Sequence, residues 1–259
     1  MRVSILSVVF MTISAILSIG TPLFLFFFFK KRLLLKVVPL LAGIAGFVVF
    51  ALILEQLVHI VVLKPSPTGE IALKSKPILF ILYGCFMAGI FEESSRFILF
   101  HVLKKKYSGI GTGLSYGIGH GGIEAILITG ASMIGNLVLS VVINLGLTSV
   151  PPEIISGLTE IAPYMFLIGG FERIFAIAIQ ISLSVIVFYS VFYNGKWWIY
   201  PLAIIVHAII DLPAILMQIE VIKNIFFVEG LTFLSSIILI FLAKYIHENF
   251  AADADIPAR

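Results

Sequence analysis

The sequence predicts an all-α integral membrane protein, a polytopic bundle of about seven transmembrane helices. Residues of the set AVILMFWYC make up 60 % of the 259-residue chain, charged residues only 12 %, and the mean hydropathy is +1.15. Soluble domains are about 45–50 % apolar and about 25 % charged. This composition therefore excludes a soluble globular protein and a disordered one. Backbone polar groups inside a bilayer must be hydrogen-bonded within the chain, so each span is expected to be helical.

Seven stretches are long and apolar enough to cross the bilayer, which takes about 20 helical residues. The first, residues 6–29, is too long for a cleaved signal peptide and is expected to be a retained span. The other six are 37–62, 78–101, 111–145, 167–193, 197–217 and 226–246. The fourth would be about 52 Å long as one helix. It is expected to tilt, to project from the membrane, or to break near Gly130 or Gly135, and a split within 111–147 would give eight spans.

The charge of the loops predicts the orientation of the bundle. With seven spans, ten basic residues fall on one side of the membrane and five on the other. Because basic loops stay in the cytoplasm, the N-terminus is expected outside and the C-terminus inside. Residues 1–250 are expected to form a single integral membrane domain, and 251–259 a short solvated tail. The basic residues thus have a topological explanation, and no nucleic-acid partner is expected.

Ionisable side chains at bilayer depth cost at least ~2.5–3.5 kcal/mol each, so they are candidate functional residues. Three predicted spans carry such groups about 12–15 Å from their cytoplasmic ends, at 1.5 Å per helical residue. The candidate catalytic residues are Glu92, Glu93, His120, Glu124, His207 and Asp211, with Arg96 and Gln180 in support. Their shared depth predicts one polar site. A second, outer layer of Glu55, His59, Glu172 and Arg173 is interpreted as a structural set of ion pairs.

Spacing indicates which of these side chains share a helix face. His120 and Glu124 are four residues apart, and so are His207 and Asp211. Glu92 and Arg96 have the same spacing, which predicts that Arg96 keeps Glu92 ionised. Gln180 is expected to donate either to this site or to a backbone carbonyl.

This constellation suits more than one chemistry. A carboxylate or a carboxylate–His pair can take a proton from water during hydrolysis. His120 and His207 are candidate ligands for Zn²⁺, although a metal-free mechanism is equally open at this point. Membrane carboxylates and histidines also relay protons or cations in transporters and channels, which is the second hypothesis. A third hypothesis is a non-enzymatic membrane scaffold that retains a degenerate peptidase pocket.

Three motifs of the sequence resemble those of a known group of enzymes. FEESSR at 91–96, YGIGHGGIEAI at 116–126 and HAIID at 207–211 resemble the motifs of CPBP-like and PrsW-like membrane peptidases. They are most similar to the YhfC family of intramembrane metalloproteases. The resemblance implies that Glu92 activates water, that His120 assists or binds a metal, and that His207 and Asp211 support the oxyanion or the metal. The CPBP-like pattern has three residues between its glutamates and its arginine, whereas this chain has two.

Together these observations predict an intramembrane peptidase. It is expected to hydrolyse a peptide bond at or within the bilayer, using water activated by Glu and His, with Zn²⁺ as the candidate metal. The expected partners are the lipid bilayer and a membrane-associated or membrane-spanning peptide. The resemblance implies a multi-pass protein of a bacterial cell membrane.

Overall fold

The computed structural model describes residues 2–65, 71–147 and 150–251, apart from the side chains of residues 250 and 251. Within these ranges there are eight helices of eight residues or more. They are α1 (Ile5–Phe29), α2 (Val37–Val62), α3 (Pro77–Leu103), α4 (Ile110–Leu145), α5 (Pro152–Thr159), α6 (Tyr164–Phe192), α7 (Ile199–Gln218) and α8 (Ile225–Ala251). The predicted tail falls outside the described residues except for Ala251, which ends α8.

Seven of these helices are long and apolar enough to cross a membrane, as judged over the described ranges. All except the short helix α5 belong to this set, so the predicted seven-span bundle is confirmed. The orientation of the termini stays a prediction. The fourth span is one continuous helix of 36 residues and not two separate helices. It breaks neither at Gly130 nor at Gly135.

Two spans contain π-helical turns that the sequence did not predict. In α2 the segment Phe47–Glu55 is π-helical, and in α4 the segment Ile126–Gly130 is. Such segments widen a helix locally and are frequent at functional sites. Both lie next to residues of the predicted site, since Phe47 contacts His120 and Glu124 precedes the turn in α4.

Helix α6 is the centre of the bundle. It packs against α1, α3, α4, α7 and α8, and nearly all of its residues from Ile177 to Val191 are buried. On its α4 side, glycines let the two backbones approach closely: a Cβ on Gly117 would lie 2.6 Å from the Ile181 Cα, and one on Gly121 would lie 2.8 Å from the Gln180 Cβ. These glycines of α4 are therefore the contact that brings Gln180 next to Glu124.

Candidate metal centre

The two adjacent glutamates of α3 face different neighbours. Consecutive helical residues diverge by about 100°. Glu92 turns toward α4, where its Oε2 accepts a hydrogen bond from His120 Nε2 at 2.9 Å. Glu93 turns toward α7, where its Oε1 accepts a hydrogen bond from His207 Nδ1 at 2.6 Å. The site therefore has two halves, one on α4 and one on α7, with α3 between them.

Arg96 joins the two halves. Its guanidinium is completely buried and donates to Glu93 Oε1 at 2.6 Å, to Glu92 Oε2 at 3.5 Å and to Ser184 Oγ at 3.1 Å, and it also contacts Gln180 Oε1. The predicted partner, Glu92, is thus the more distant of the two carboxylates, because the shorter ion pair goes to Glu93. A buried guanidinium needs such partners, since an unpaired buried charge is costly.

Gln180 of α6 links the carboxylates of two different helices. Its Nε2 donates to Glu92 Oε2 at 2.9 Å and to Glu124 Oε2 at 2.7 Å. Because its Oε1 accepts from Arg96, the amide can present only its NH₂ group to the carboxylates. Of the two predicted alternatives for Gln180, donation to the site is the one found.

Three residues on one side of the site form a group that can hold a metal ion. Glu92, His120 and Glu124 each offer a ligand atom, and these atoms lie within 4.8 Å of one another. One imidazole nitrogen with two carboxylate oxygens is a donor set that suits Zn²⁺. The Nδ1 atom of His120 is buried and has no hydrogen-bond partner among the described residues, so this part of the chain leaves one polar atom of the imidazole unsatisfied. The residues present therefore fit a metal.

His207, the second predicted ligand, lies outside this group of three. Its Nδ1 is engaged by Glu93, and its Nε2 lies 3.6 Å from Asp211 Oδ2. The imidazole is thus placed between two carboxylates, on the α7 side of the site. Asp211 is the most exposed of the six candidate residues, with 31 % of its side chain accessible.

Aromatic rings fix the His120 imidazole in place. The Phe47 ring meets it in an edge-to-face arrangement at a centroid distance of 5.3 Å, and the Tyr116 ring stacks on it at 6.0 Å. Tyr116 is itself held by a hydrogen bond of 2.9 Å between its hydroxyl and Ser95 Oγ. Sequence reasoning missed Phe47, since nothing distinguishes one apolar residue from its neighbours in an apolar span.

The sequence predicts an outer layer of ion pairs distinct from the site, but in the structure one residue of that layer reaches the site. Glu55 and His59 form the expected pair, 3.3 Å apart, with Tyr83 hydrogen-bonded to His59 at 2.6 Å. Arg173, however, pairs with Glu172 and also donates to Glu124 Oε1 at 3.1 Å. Arg173 therefore contacts the candidate metal centre directly.

The fold and the site define a class: polytopic helical membrane proteins that bury a cluster of carboxylates, imidazoles and guanidinium groups among their spans. The chain belongs to the YhfC intramembrane metalloprotease family, whose model matches residues 13–232. It is 35 % identical over 235 residues to "Uncharacterized membrane protein YhfC" of Bacillus subtilis (strain 168). The aligned region covers 86 % of this chain and 90 % of that protein. No solved structure matches the chain. The predicted family is confirmed, as is the prediction of a multi-pass bacterial membrane protein.

Proposed function

We propose that the protein is an intramembrane peptidase that hydrolyses a peptide bond of a membrane-associated or membrane-spanning substrate. The observation that carries the proposal is the group of Glu92, His120 and Glu124, whose ligand atoms converge within 4.8 Å inside the helical bundle. The description of the matching family as an intramembrane metalloprotease family supports the same chemistry. Three protein ligands of this type are typical of catalytic zinc sites, in which a further position is kept for water or substrate.

Glu92, His120 and Glu124 would hold the metal in this proposal. Zn²⁺ bound by such ligands polarises a carbonyl group and makes water a stronger acid. Arg96 and Gln180 hold the two carboxylates in place, because Gln180 donates to both of them and Arg96 fixes the amide orientation. Phe47 and Tyr116 keep the His120 ring from rotating.

The α7 half of the site would move protons. His207 donates its Nδ1–H to Glu93, which leaves Nε2 as the atom that exchanges a proton with the reacting groups. Asp211, 3.6 Å from that Nε2 and partly accessible, connects the imidazole to the outside of the site. His207 is therefore assigned as the general acid that protonates the leaving amine.

The same residues support a metal-free version of the reaction. There, Glu92 would accept a proton from water with His120 as its hydrogen-bonded partner, at the observed 2.9 Å. Both versions need Glu92 and His120, but only the metal version needs the Glu124 carboxylate as a ligand. Glu124→Gln should therefore abolish cleavage in the first version and only reduce it in the second.

The experiment is a cleavage assay on purified protein in liposomes that contain a mixture of membrane-spanning peptides, read by mass spectrometry of new termini. The wild type should generate products, and Glu92→Gln, His120→Gln and His207→Gln should generate none while remaining folded in detergent at the assay temperature. Lys244→Gln, which alters an exposed ion pair on α8 that involves none of the candidate residues, is the control and should cleave normally. Products from all three site variants would contradict the proposal.

The same liposomes distinguish the peptidase from the alternative of a transporter or channel that relays ions. A transporter or channel that used these carboxylates and histidines would release a pH or cation gradient without forming peptide products. Gradient release by the wild type, lost in Glu92→Gln and unaccompanied by cleavage, would replace the peptidase with a relay.

A further inference from the structure

Arg173 is a charged residue that the bundle buries next to the candidate metal centre. It lies on α6 with 9 % of its surface exposed. One terminal nitrogen donates to Glu124 Oε1 at 3.1 Å, and the other pairs with Glu172 on its own helix. A buried guanidinium is costly unless its partners compensate its charge, and these two carboxylates supply that compensation.

The two oxygens of Glu124 are held from different directions. Arg173 contacts Oε1, and Gln180 contacts Oε2 at 2.7 Å. Gln180 alone does not fix this carboxylate, because the same Nε2 atom also donates to Glu92. Arg173 supplies the second contact, which prevents the carboxylate from rotating about its last torsion angle.

Arg173 has a second carboxylate partner besides Glu124. Its other terminal nitrogen pairs with Glu172, the preceding residue of α6. Glu172 is the more accessible partner, with 32 % of its side chain exposed, against 12 % for Glu124. Glu172 therefore offsets part of the positive charge that Arg173 brings to Glu124.

We propose that Arg173 is a positioning residue that holds Glu124 in the orientation in which it serves as a ligand of the metal centre. The inference rests on the proposed function, since it takes Glu92, His120 and Glu124 as the ligand set. It makes the outer ion pair of α6 part of the site. Residues that orient metal ligands typically change metal affinity by about 10–100-fold when they are mutated.

The test is the affinity of the purified full-length protein for Zn²⁺ in detergent, measured by competition with a chromophoric chelator. Arg173→Gln should bind Zn²⁺ about 10–100-fold more weakly than the wild type. Glu172→Gln is the matched control: it removes the other ion pair of the same guanidinium but leaves the contact to Glu124, and its affinity should equal that of the wild type. Arg173→Lys, which keeps the charge but not the two-sided guanidinium contact, serves if Arg173→Gln fails to fold, and it should also lose affinity.

The outcomes separate this inference from the proposed function. Wild-type affinity in Arg173→Lys and Arg173→Gln, or an equal loss in Glu172→Gln, would show that Arg173 acts only as a structural ion pair and would overturn the inference alone. A wild-type protein that binds no Zn²⁺, Mn²⁺ or Co²⁺ would overturn both the metal centre and the role of Arg173. Weaker binding in the Arg173 variants with unchanged binding in Glu172→Gln supports both.

Discussion

Arg96 and Glu93 are both fully buried, so their charges are balanced by each other and not by solvent. They form an ion pair of 2.6 Å through Glu93 Oε1, and the same oxygen also accepts the hydrogen bond from His207. Removing one partner of a buried pair leaves an uncompensated charge, which is why single substitutions there are strongly destabilising. The polar network is therefore part of what holds α3, α6 and α7 together.

Glu93→Gln tests this role at the level of one residue. The substitution keeps the side-chain shape but removes the negative charge that faces Arg96, so the free energy of unfolding should fall by about 3–5 kcal/mol. The measurement is unfolding in mixed micelles with increasing denaturing detergent.

The matched control for Glu93→Gln is Glu248→Gln. Glu248 pairs with Lys244 at 3.7 Å, but both side chains are exposed, so this loss should cost about 0–1 kcal/mol. Equal destabilisation by the two substitutions would contradict the account of the buried network.

Individual residues show how far the sequence predicts the site. Helical spacing and depth were enough to bring Glu92 and His120 together, because both follow from the period of the helix. Which glutamate faces which histidine depends on the crossing angles of α3 with α4 and α7, which the sequence does not specify. The reach of Arg173 to Glu124 was missed for a related reason: a long side chain spans more than one helical turn, so depth along its own helix did not reveal its partner.

At the level of helices, close packing between α4 and α6 determines where Gln180 lies. The glycines of α4 allow this approach, and Gly117 is the tightest point against a backbone atom of α6. Gly135 on the same helix has nothing within 4 Å of the position a Cβ would take. The two glycines therefore lie on the same helix, but only Gly117 is in close contact with a neighbouring helix.

Alanine at these two positions should have opposite effects. Gly117→Ala forces α4 away from Ile181 and should lower the free energy of unfolding by about 1–3 kcal/mol. Gly135→Ala fills open space and should be neutral or stabilise by about 0.5–1 kcal/mol, because alanine is the better helix former. Detergent unfolding measures both, and a destabilising effect of similar size at Gly135 would contradict the packing assignment.

The limits of the first six spans were predicted to within three residues because hydropathy sets where a helix can lie in a bilayer, whereas α8 continues five residues beyond its predicted end. The predicted 37–62 agrees with the observed Val37–Val62, and 78–101 with Pro77–Leu103. The π-helical segments were not predicted, because a shift of hydrogen-bond partner leaves the apolar composition unchanged. Both segments are beside the site, so the sequence missed the feature of α2 that brings Phe47 onto His120.

The whole molecule is organised around α6, with the site on the side shared by α3, α4 and α7. For such a bundle the distribution of basic loop residues predicts which side faces the cytoplasm. A fusion of green fluorescent protein to the C-terminus should be fluorescent in a bacterial host, and an alkaline phosphatase fusion at the same point should be inactive. An active phosphatase with a dark fluorescent protein would reverse the predicted orientation.

The metal content of the purified protein tests the central claim most directly. Elemental analysis of the wild type in detergent should find about one Zn²⁺ per chain, as expected for a single catalytic site. His120→Gln should lose it, whereas His207→Gln should keep it, because His207 lies outside the group formed by Glu92, His120 and Glu124. Loss of the metal in His207→Gln with retention in His120→Gln, or no metal in the wild type, would contradict the claim that Glu92, His120 and Glu124 form a metal centre.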